Sequence, residues 1–169
     1  MQRNLEIKAT CPSLSVARGI ARKIGARYIG AMHQIDTYYR TRSGRLKVRE
    51  IDGKEFELIY YERPNRSGSR YSNYLVIPLP EVHTLKRSLR RAFGELVVVR
   101  KERELFLFKN ARIHLDRVAR LGAFLEFEVL VRFGRKQSEE LLRFLKIQFD
   151  VRLDSVVAGS YSDMLLREL

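Results

Sequence analysis

The sequence has little that would tie the chain together covalently or hold it in a membrane. It contains one cysteine, Cys11, so no disulfide can form within it, and this fits a reducing compartment. No apolar run approaches the roughly 20 residues that span a bilayer. No apolar signal-peptide segment follows the charged N-terminus. These absences predict a cytoplasmic protein that does not enter a membrane.

Several common motifs and boundaries are also missing. The chain has no internal repeat, low-complexity segment or linker, which predicts a single domain over residues 1–169. It has neither a glycine-rich phosphate loop nor a G-x-S-x-G motif. Its three histidines, His33, His83 and His114, are not spaced as metal ligands. The sequence therefore indicates neither P-loop nucleotide binding nor a serine nucleophile.

Positive charge is what the sequence has in excess. Lysine and arginine number 33 against 20 acidic residues, which gives a net charge of +13. Such an excess points to an anionic partner: nucleic acid, an acidic membrane surface or a phosphorylated small molecule. The alternative is that the charge serves solubility alone. No recognisable nucleic-acid motif accompanies the basic segment LKRSLRRAF, so nucleic acid is the least favoured partner.

Strict alternation of polar and apolar residues predicts several β-strands. In RNLEIK (residues 3–8), Asn4, Glu6 and Lys8 share one face and apolar residues occupy the other. The same alternation returns in four later segments, each with one charged face: Arg45, Lys47 and Arg49; Lys101 and Arg103; Arg112, His114 and Asp116; Glu126 and Glu128. Each strand thus has an apolar face suited to packing.

About eight such strands, with helices inserted, predict an α+β fold. Eight strands suffice to close a small barrel with a side-chain-lined interior. Asp52-Gly53 predicts a tight turn between two strands, and Ser138 is predicted to cap a helix. We therefore expect an eight-stranded, mainly antiparallel β-barrel flanked by helices.

The predicted function depends on whether the charged strand faces point into the barrel or out to solvent. The helices need an apolar surface, so the economical arrangement packs them on the apolar strand faces and turns the charge inward. The alternative is a set of solvated strand faces with cross-strand ion pairs of modest value. An inward face would combine carboxylates, which suit Mg²⁺ or Mn²⁺, with cations, which suit phosphate. Such a cavity would bind a metal-bound polyphosphate.

The segment NLEIK resembles the ExExK signature of the CYTH superfamily, the triphosphate tunnel enzymes. The resemblance covers nearly the whole chain, through further segments in the family's order: QIDTYY with GRLKVRE, LIYYERPN, VVVRKERELF, RIHLDRV, LGAFLEFEV and SYSDMLL. The last two, with HLDRVARLG, favour the class IV adenylate cyclase branch over the thiamine triphosphatase branch.

The resemblance implies an activity and its requirements. Class IV cyclases convert ATP to cyclic AMP and pyrophosphate with Mg²⁺ or Mn²⁺, whereas other members hydrolyse tripolyphosphate or thiamine triphosphate. It also implies a homodimer. Carried over by motif, Glu6 and Lys8 take catalytic positions, and Glu6, Asp116, Glu126 and Glu128 take metal positions. Phosphate binding is implied for Arg49, Lys101 and Arg103, and we assign Arg45 and Lys47, which share the charged face of Arg49, to phosphate binding as well.

Two departures from the family pattern keep other functions open. Asn4 stands at the first acid of ExExK and offers a weaker metal ligand than a carboxylate. Glu62 falls about where many relatives have a lysine, and Arg63 or Arg70 are the candidates to replace that charge. The alternatives to a cyclase are therefore an inorganic tripolyphosphatase or thiamine triphosphatase, and a polyphosphate- or nucleotide-binding protein with little or no catalysis.

Overall fold

A computed structural model describes residues 1–64 and 68–168 of the chain and contains the predicted barrel. Its strands are β1 Gln2–Thr10, β2 Arg27–Tyr39, β3 Arg45–Ile51, β4 Glu55–Glu62, β5 Arg70–Leu79, β6 Glu95–Phe108, β7 Ala111–Val118 and β8 Gly122–Leu130. They close in the order β1-β5-β4-β3-β2-β6-β7-β8, and all neighbours are antiparallel. The predicted fold class is confirmed, and β1 closes the ring by pairing with both β5 and β8.

Helices cover parts of the outer surface. They are α1 Leu14–Lys23, α2 His83–Phe93, α3 Arg135–Gln148 and α4 Tyr161–Leu166, with a short 3-10 helix at Leu153–Ser155. The prediction that Ser138 caps the third helix was wrong, because that helix begins three residues earlier, after Gly134. The buried Ser138 hydroxyl instead donates to the Gly134 carbonyl within the first turn. Within the described ranges, no helix has the length and apolar character to cross a bilayer.

The turn at Asp52-Gly53 is confirmed. Both residues have positive φ, 51° and 66°, as a type I′ turn requires. The Lys54 N–H donates to the Ile51 carbonyl at 3.0 Å and closes the turn. This turn fixes the register of β3 against β4, in which Arg49 lies opposite Glu57.

The apolar core lies between the barrel wall and the helices, as the alternation predicted. The apolar face of β1, with Leu5 and Ile7, packs in one cluster with the outward faces of β7 and β8 and with buried residues of α1 and α3, such as Ala21 and Leu145. A second cluster joins β6 to Tyr161 and Leu165 of α4. Because the apolar faces point outward to these helices, the charged faces point into the barrel.

The segment after α3 returns to the barrel and is tied to it by hydrogen bonds. The Val157 N–H donates to the Lys8 carbonyl at 2.9 Å. The Arg70 guanidinium donates to the carbonyls of Val157 at 3.2 Å and Gly159 at 3.0 Å. These bonds place α4 so that Ser160 and Tyr161 line the interior of the barrel.

Candidate functional site

The interior of the barrel is a charged cavity of about 270 Å³. Because alternate residues of each strand point inward, ten of the predicted site residues line it: Asn4, Glu6, Lys8, Lys47, Arg49, Arg63, Lys101, Arg103, Glu126 and Glu128. Burying so many charges is costly unless they are paired or bind ligands. The pairing inside the cavity therefore shows which charges already have partners and which are left for a ligand.

On one side of the cavity, three cations surround one carboxylate, and we call this set the basic wall: Asp36, Lys47, Arg49 and Lys101. Lys47 Nζ and Lys101 Nζ each lie 2.8 Å from Asp36 Oδ2. Arg49 donates to both Asp36 oxygens, at 2.7 Å and 2.9 Å. Burial opposes the ionisation of Asp36, yet the surrounding cations hold its pKa well below the usual range. The basic wall therefore keeps an excess of positive charge around an ionised aspartate.

Next to the basic wall, on β7 and β8, lie three carboxylates that we call the acidic wall: Asp116, Glu126 and Glu128. Glu126 Oε1 forms an ion pair with Lys8 at 3.1 Å, and Glu126 Oε2 accepts a hydrogen bond from Arg103 at 2.9 Å. Glu128 pairs with Arg112 at 2.8 Å. Burial opposes the ionisation of Glu126, but Lys8 and its other partners hold the pKa of Glu126 well below its usual range. Each of these carboxylates therefore has a cationic partner.

Tyr161 of α4 joins the acidic wall. Its hydroxyl donates to Asp116 Oδ2 at 2.7 Å, and Asp116 also accepts two bonds from Arg103, at 2.7 Å and 2.6 Å. The ammonium of Lys8 lies 3.6 Å from the centre of the Tyr161 ring, close enough for a cation–π contact. Tyr161 thus touches two predicted site residues at once.

Glu6 is paired with the two arginines that were candidates to replace the missing lysine charge. Arg63 Nη1 forms an ion pair with Glu6 Oε1, and Arg70 Nε lies 3.4 Å from the same oxygen. Arg63 lines the cavity, whereas Arg70 is fully buried behind it. Asn4 lines the cavity two residues before Glu6.

Several buried polar atoms in the cavity have no hydrogen-bond partner among the described residues. These atoms are Asn4 Oδ1, Gln34 Oε1, Arg63 Nε and Nη2, and Arg112 Nε. Buried polar groups in folded proteins nearly always have partners, from the protein, water or a ligand. All four residues line the same cavity, so the unpaired atoms mark it as a place where a polar ligand would complete the bonding.

Three predicted site residues do not line the cavity. Arg45 forms an ion pair at 2.8 Å with Asp163 of α4 and lines a separate depression beside the end of the barrel. Asp116 and Arg70 are fully buried. Asp116 contacts Arg103 and Tyr161, and Arg70 contacts Glu6 and the backbone before α4. These residues support the cavity from behind or at its edge.

The pKa of Lys101 is lowered to about 7. Burial is the largest cause, and Arg49, Arg103 and Lys47 add to it, while Asp36 opposes it. An ammonium with such a pKa is partly neutral at physiological pH. An entering polyanion would favour its charged form.

A divalent metal fits the donor set of the acidic wall. A ring nitrogen of His114 and one oxygen each of Glu126 and Glu128 lie within 4.8 Å of one another. Carboxylate oxygens are the ligands that Mg²⁺ and Mn²⁺ prefer. His114 Nδ1 lies 3.3 Å from Glu126 Oε2, and burial lowers the pKa of the His114 ring. These three residues could therefore hold one ion together with substrate oxygens.

Sequence reasoning missed Asp36, His114 and Tyr161 as site residues. His114 did carry a signal, because it occupies a polar position of an alternating strand whose charged face was predicted to point inward. Asp36 lies in QIDTYY, a segment for which no inward face was predicted. Tyr161 lies in SYSDMLL, which resembles the family, but nothing in that segment indicated its contact with Asp116, 45 residues earlier in the chain. Its place in the site depends on how the C-terminal segment folds back.

The chain belongs to the CYTH domain family, since the model of that family matches residues 2–156. Among curated proteins it is similar to one named a putative adenylate cyclase from Methanocaldococcus jannaschii. The two are 23% identical over 155 residues, which cover 85% of this chain and 87% of the relative. The match ends before α4, so Tyr161 lies outside the residues that the family model covers.

Solved structures share the fold at low sequence identity. A Pyrococcus horikoshii protein superposes with a TM-score of 0.84 at 19% identity, covering 95% of this chain and 98% of that one. A putative adenylyl cyclase from Hippeastrum, reported to reveal a dominant triphosphatase activity, superposes with a TM-score of 0.65 at 14% identity. That match covers 98% of this chain and 95% of the other. At these identities the likeness concerns the fold alone.

Proposed function

We propose that the protein binds a nucleoside triphosphate with a divalent metal inside the barrel and converts ATP to cyclic AMP and pyrophosphate. The observation that carries the proposal is the unbalanced basic wall, in which Lys47, Arg49 and Lys101 share one carboxylate, Asp36. Fixed cations with surplus charge suit the oxygens of a polyphosphate. The unpaired nitrogens of Arg63 and Arg112 add donors in the same cavity.

Apolar side chains in the same cavity support an organic triphosphate over an inorganic one. Tyr38, Tyr61 and Tyr74 line it, together with Ile59 and Val76. Ile59 and Val76 lie directly opposite each other on β4 and β5. Aromatic and aliphatic surface of this kind suits a nucleoside, whereas tripolyphosphate has no apolar part to bind.

In this reaction the ribose 3′ oxygen bonds to the α-phosphorus, and the bond from that phosphorus to the bridging oxygen breaks. The 3′ proton passes to water, and pyrophosphate leaves. Lys47, Arg49 and Lys101 stabilise the negative charge that grows on the leaving group. We assign Lys8 to phosphate binding rather than to proton removal. In Lys8→Met, triphosphate affinity should then fall; a collapse of turnover at unchanged affinity would instead make Lys8 the base.

We propose that Glu126 and Glu128 hold Mg²⁺ or Mn²⁺. The metal, when bound, supplies Lewis-acid polarisation of the phosphate and orients the hydroxyl group. Lys8 and Arg103, which pair with Glu126 here, are close enough to the same place to contact phosphate oxygens. Glu6 and Asp116 remain predicted ligands, and both pair with arginine side chains.

A triphosphatase is the second candidate, with water in place of the ribose hydroxyl. Asn4 at the first acid position supports it, because a change in the metal ligands would alter which nucleophile is oriented. The Hippeastrum protein is named a putative adenylyl cyclase but is described as having a dominant triphosphatase activity, so a protein of this fold can bear the first name and have the second activity. Most of the residues described above would serve either reaction.

Product analysis separates these functions. ATP and tripolyphosphate would each be incubated with Mg²⁺ or Mn²⁺ and the products separated by chromatography. Cyclic AMP with pyrophosphate supports the cyclase; orthophosphate without cyclic AMP supports the triphosphatase. Binding without any product leaves the alternative of a binding protein. Lys47→Met should abolish binding or product formation, whereas the same change at Lys23, exposed on α1, should preserve both.

The remaining expectations are proposals of the same kind. We propose a homodimer in the cytoplasm, which sedimentation of the purified protein and fractionation of cells would test. We do not propose nucleic acid as a partner. In α2, the most basic helix, Lys86 and Arg90 pair with Glu50 and Glu95, and no nucleic-acid motif accompanies it. A salt-dependent affinity for duplex DNA or RNA would contradict this.

A further inference from the structure

His114 is the one ring nitrogen donor beside the glutamates of the acidic wall among the described residues. We propose that His114 is itself a metal ligand and makes the site select a first-row transition-metal dication over Mg²⁺. The inference rests on the proposed metal site in the barrel and specifies which ions that site prefers.

The position of the ring supports this role. His114 Nδ1 lies 3.3 Å from Glu126 Oε2, and the residue is only 4% exposed. An imidazole nitrogen that carries no hydrogen has a lone pair that can bind a metal ion.

A second observation points to an ion in the same cavity. Asn4 Oδ1 is buried and has no partner within the described part of the chain, although the residue is only 3% exposed. Asn4 precedes Glu6 on β1, and Glu6 lies opposite Glu128 on β8. An amide oxygen is a neutral ligand for a hard dication. The donors around the cavity are thus two carboxylates, an amide oxygen and an imidazole.

The nitrogen donor sets the preference. Mg²⁺ demands oxygen ligands in near-ideal octahedral geometry and gives up water reluctantly. Imidazole favours first-row transition metals, whose affinities rise from Mn²⁺ toward Cu²⁺. Mn²⁺ is the weakest binder of that series, so a preference for Mn²⁺ over Mg²⁺ is the most demanding form of the proposal. Mn²⁺ also reports its ligands by electron paramagnetic resonance.

The charged side chains around the metal site predict that the ion binds together with a polyphosphate. Asp116, Glu126 and Glu128 are already matched by Lys8, Arg103 and Arg112, so the acidic wall is nearly neutral before any ion arrives. A dication alone would add uncompensated positive charge, whereas a dication with a polyphosphate would not. We therefore expect Mn²⁺ to bind much more tightly when tripolyphosphate is present.

The test is pulsed electron paramagnetic resonance of the full chain with Mn²⁺ and tripolyphosphate. We expect nitrogen couplings from a directly bound imidazole, which change to those of ¹⁵N when the protein is made with ¹⁵N-histidine. The couplings should vanish in His114→Gln and persist in His83→Gln, an exposed histidine of α2. The Mg²⁺ concentration that displaces half of the Mn²⁺ should fall by about tenfold or more in His114→Gln, since even outer-shell changes cost 10–100-fold in metal affinity.

The outcomes separate this inference from the proposed function. Bound Mn²⁺ without nitrogen couplings would overturn the role of His114 and leave the triphosphate site standing. Equal displacement by Mg²⁺ in the wild type and His114→Gln would overturn the selectivity. Failure of the protein to bind Mn²⁺ with or without tripolyphosphate would overturn the metal site itself. The label experiment uses the wild-type chain, so it stays decisive if His114→Gln does not fold.

Discussion

The two walls of the barrel interior contain similar side chains in different proportions. In the basic wall, three cations share one carboxylate, Asp36. In the acidic wall, Asp116, Glu126 and Glu128 are matched by cations from β1, β6 and β7. A surplus of one sign is stable only with a partner from outside, whereas a matched set can stand alone. The comparison teaches that one wall is prepared for an anion and the other is already nearly neutral.

The largest expected effect comes from removing the single acid of the basic wall. Asp36→Ala would leave Lys47, Arg49 and Lys101 buried without an anion, which should cost about 3–5 kcal/mol in the free energy of unfolding. Tripolyphosphate should restore more stability to this variant than to the wild type, because it replaces the lost charge. Urea unfolding with and without tripolyphosphate measures both effects.

The matched control for this variant is Asp154→Ala. Asp154 pairs with Arg152 at 3.0 Å, but both side chains are mostly exposed, so the loss should stay below about 1 kcal/mol. Equal losses from the two aspartates would show that the basic wall has no special dependence on Asp36.

Changes to Tyr161 test the acidic wall from the side of α4. Tyr161→Phe removes a hydrogen bond to the charged Asp116, a type worth about 1.5–3 kcal/mol. Tyr161→Leu also removes the ring beside Lys8, worth about 0.5–2 kcal/mol more. Thermal unfolding and the dissociation constant for tripolyphosphate should both rank wild type, Phe and Leu in that order.

Tyr60→Phe is the control for the tyrosine series. Its hydroxyl donates to Glu62 at 2.8 Å at an exposed position, so the loss should be smaller than for Tyr161→Phe. If Tyr161→Leu keeps the affinity of the wild type, the ring does not position Lys8 for phosphate.

The pH dependence of binding should follow Lys101, whose pKa of about 7 is below its ordinary value mainly because of burial. A bound polyanion needs the ammonium form. The dissociation constant should therefore rise with pH above about 7, by up to tenfold per unit for one linked proton. Calorimetric titrations at several pH values in wild type and Lys101→Met would isolate the contribution; parallel profiles would contradict it.

Without ligand, the free energy of unfolding should depend on pH in the opposite direction from the binding affinity. The unfolded chain holds the Lys101 proton up to a pKa near 10.5, whereas the folded chain releases it near 7. The unfolded state therefore binds more protons between these values, so the contribution of Lys101 to stability rises with pH across that window. The slope of stability against pH should be shallower in Lys101→Met.

The smallest effect on stability is expected for an ion pair on the outside of the barrel, although its distances are as short as those of the pairs in the cavity. Arg18 donates to Glu104 at 2.8 Å and 2.6 Å, but the two side chains are 34% and 20% exposed. A double-mutant cycle on this pair should give a coupling below about 1 kcal/mol, falling with added salt. A coupling of several kcal/mol would remove the distinction between interior and exterior pairs.

Much of the fold followed from local pattern. The alternation in RNLEIK placed Glu6 and Lys8 on a face opposite Leu5 and Ile7, and the structure buries both faces, one in the cavity and one under helices. A period of two is a property of the strand itself, so it can be read without knowing its partners. The inward direction of the charge followed because the helices needed the other face.

The pairings inside the barrel could not be predicted in the same way. Lys8 meets Glu126 and Asp36 meets Lys101 across long stretches of chain, and these contacts depend on barrel closure and register. The sequence did not mark Asp36 as a site residue, because its role depends on three cations that the fold brings around it. The start of α3 was predicted wrongly because the residue before the helix is Gly134, which has no side chain to cap it. Ser138, three residues into the sequence of the helix, has the side chain typical of a cap.

The closure of the ring has a consequence for synthesis of the chain. β1 is made first, but it pairs with β8 through Asn4–Leu130 to Thr10–Phe124, so its charged face has no finished enclosure until residue 130 has left the ribosome. The contacts of Lys8 are completed even later, because the Val157 N–H donates to its carbonyl and the Tyr161 ring lies against its ammonium. Contacts so distant in sequence fold slowly. A nascent chain therefore has no assembled site until β8 and α4 have been made, and β1 is the strand that a chaperone would most need to shield until then.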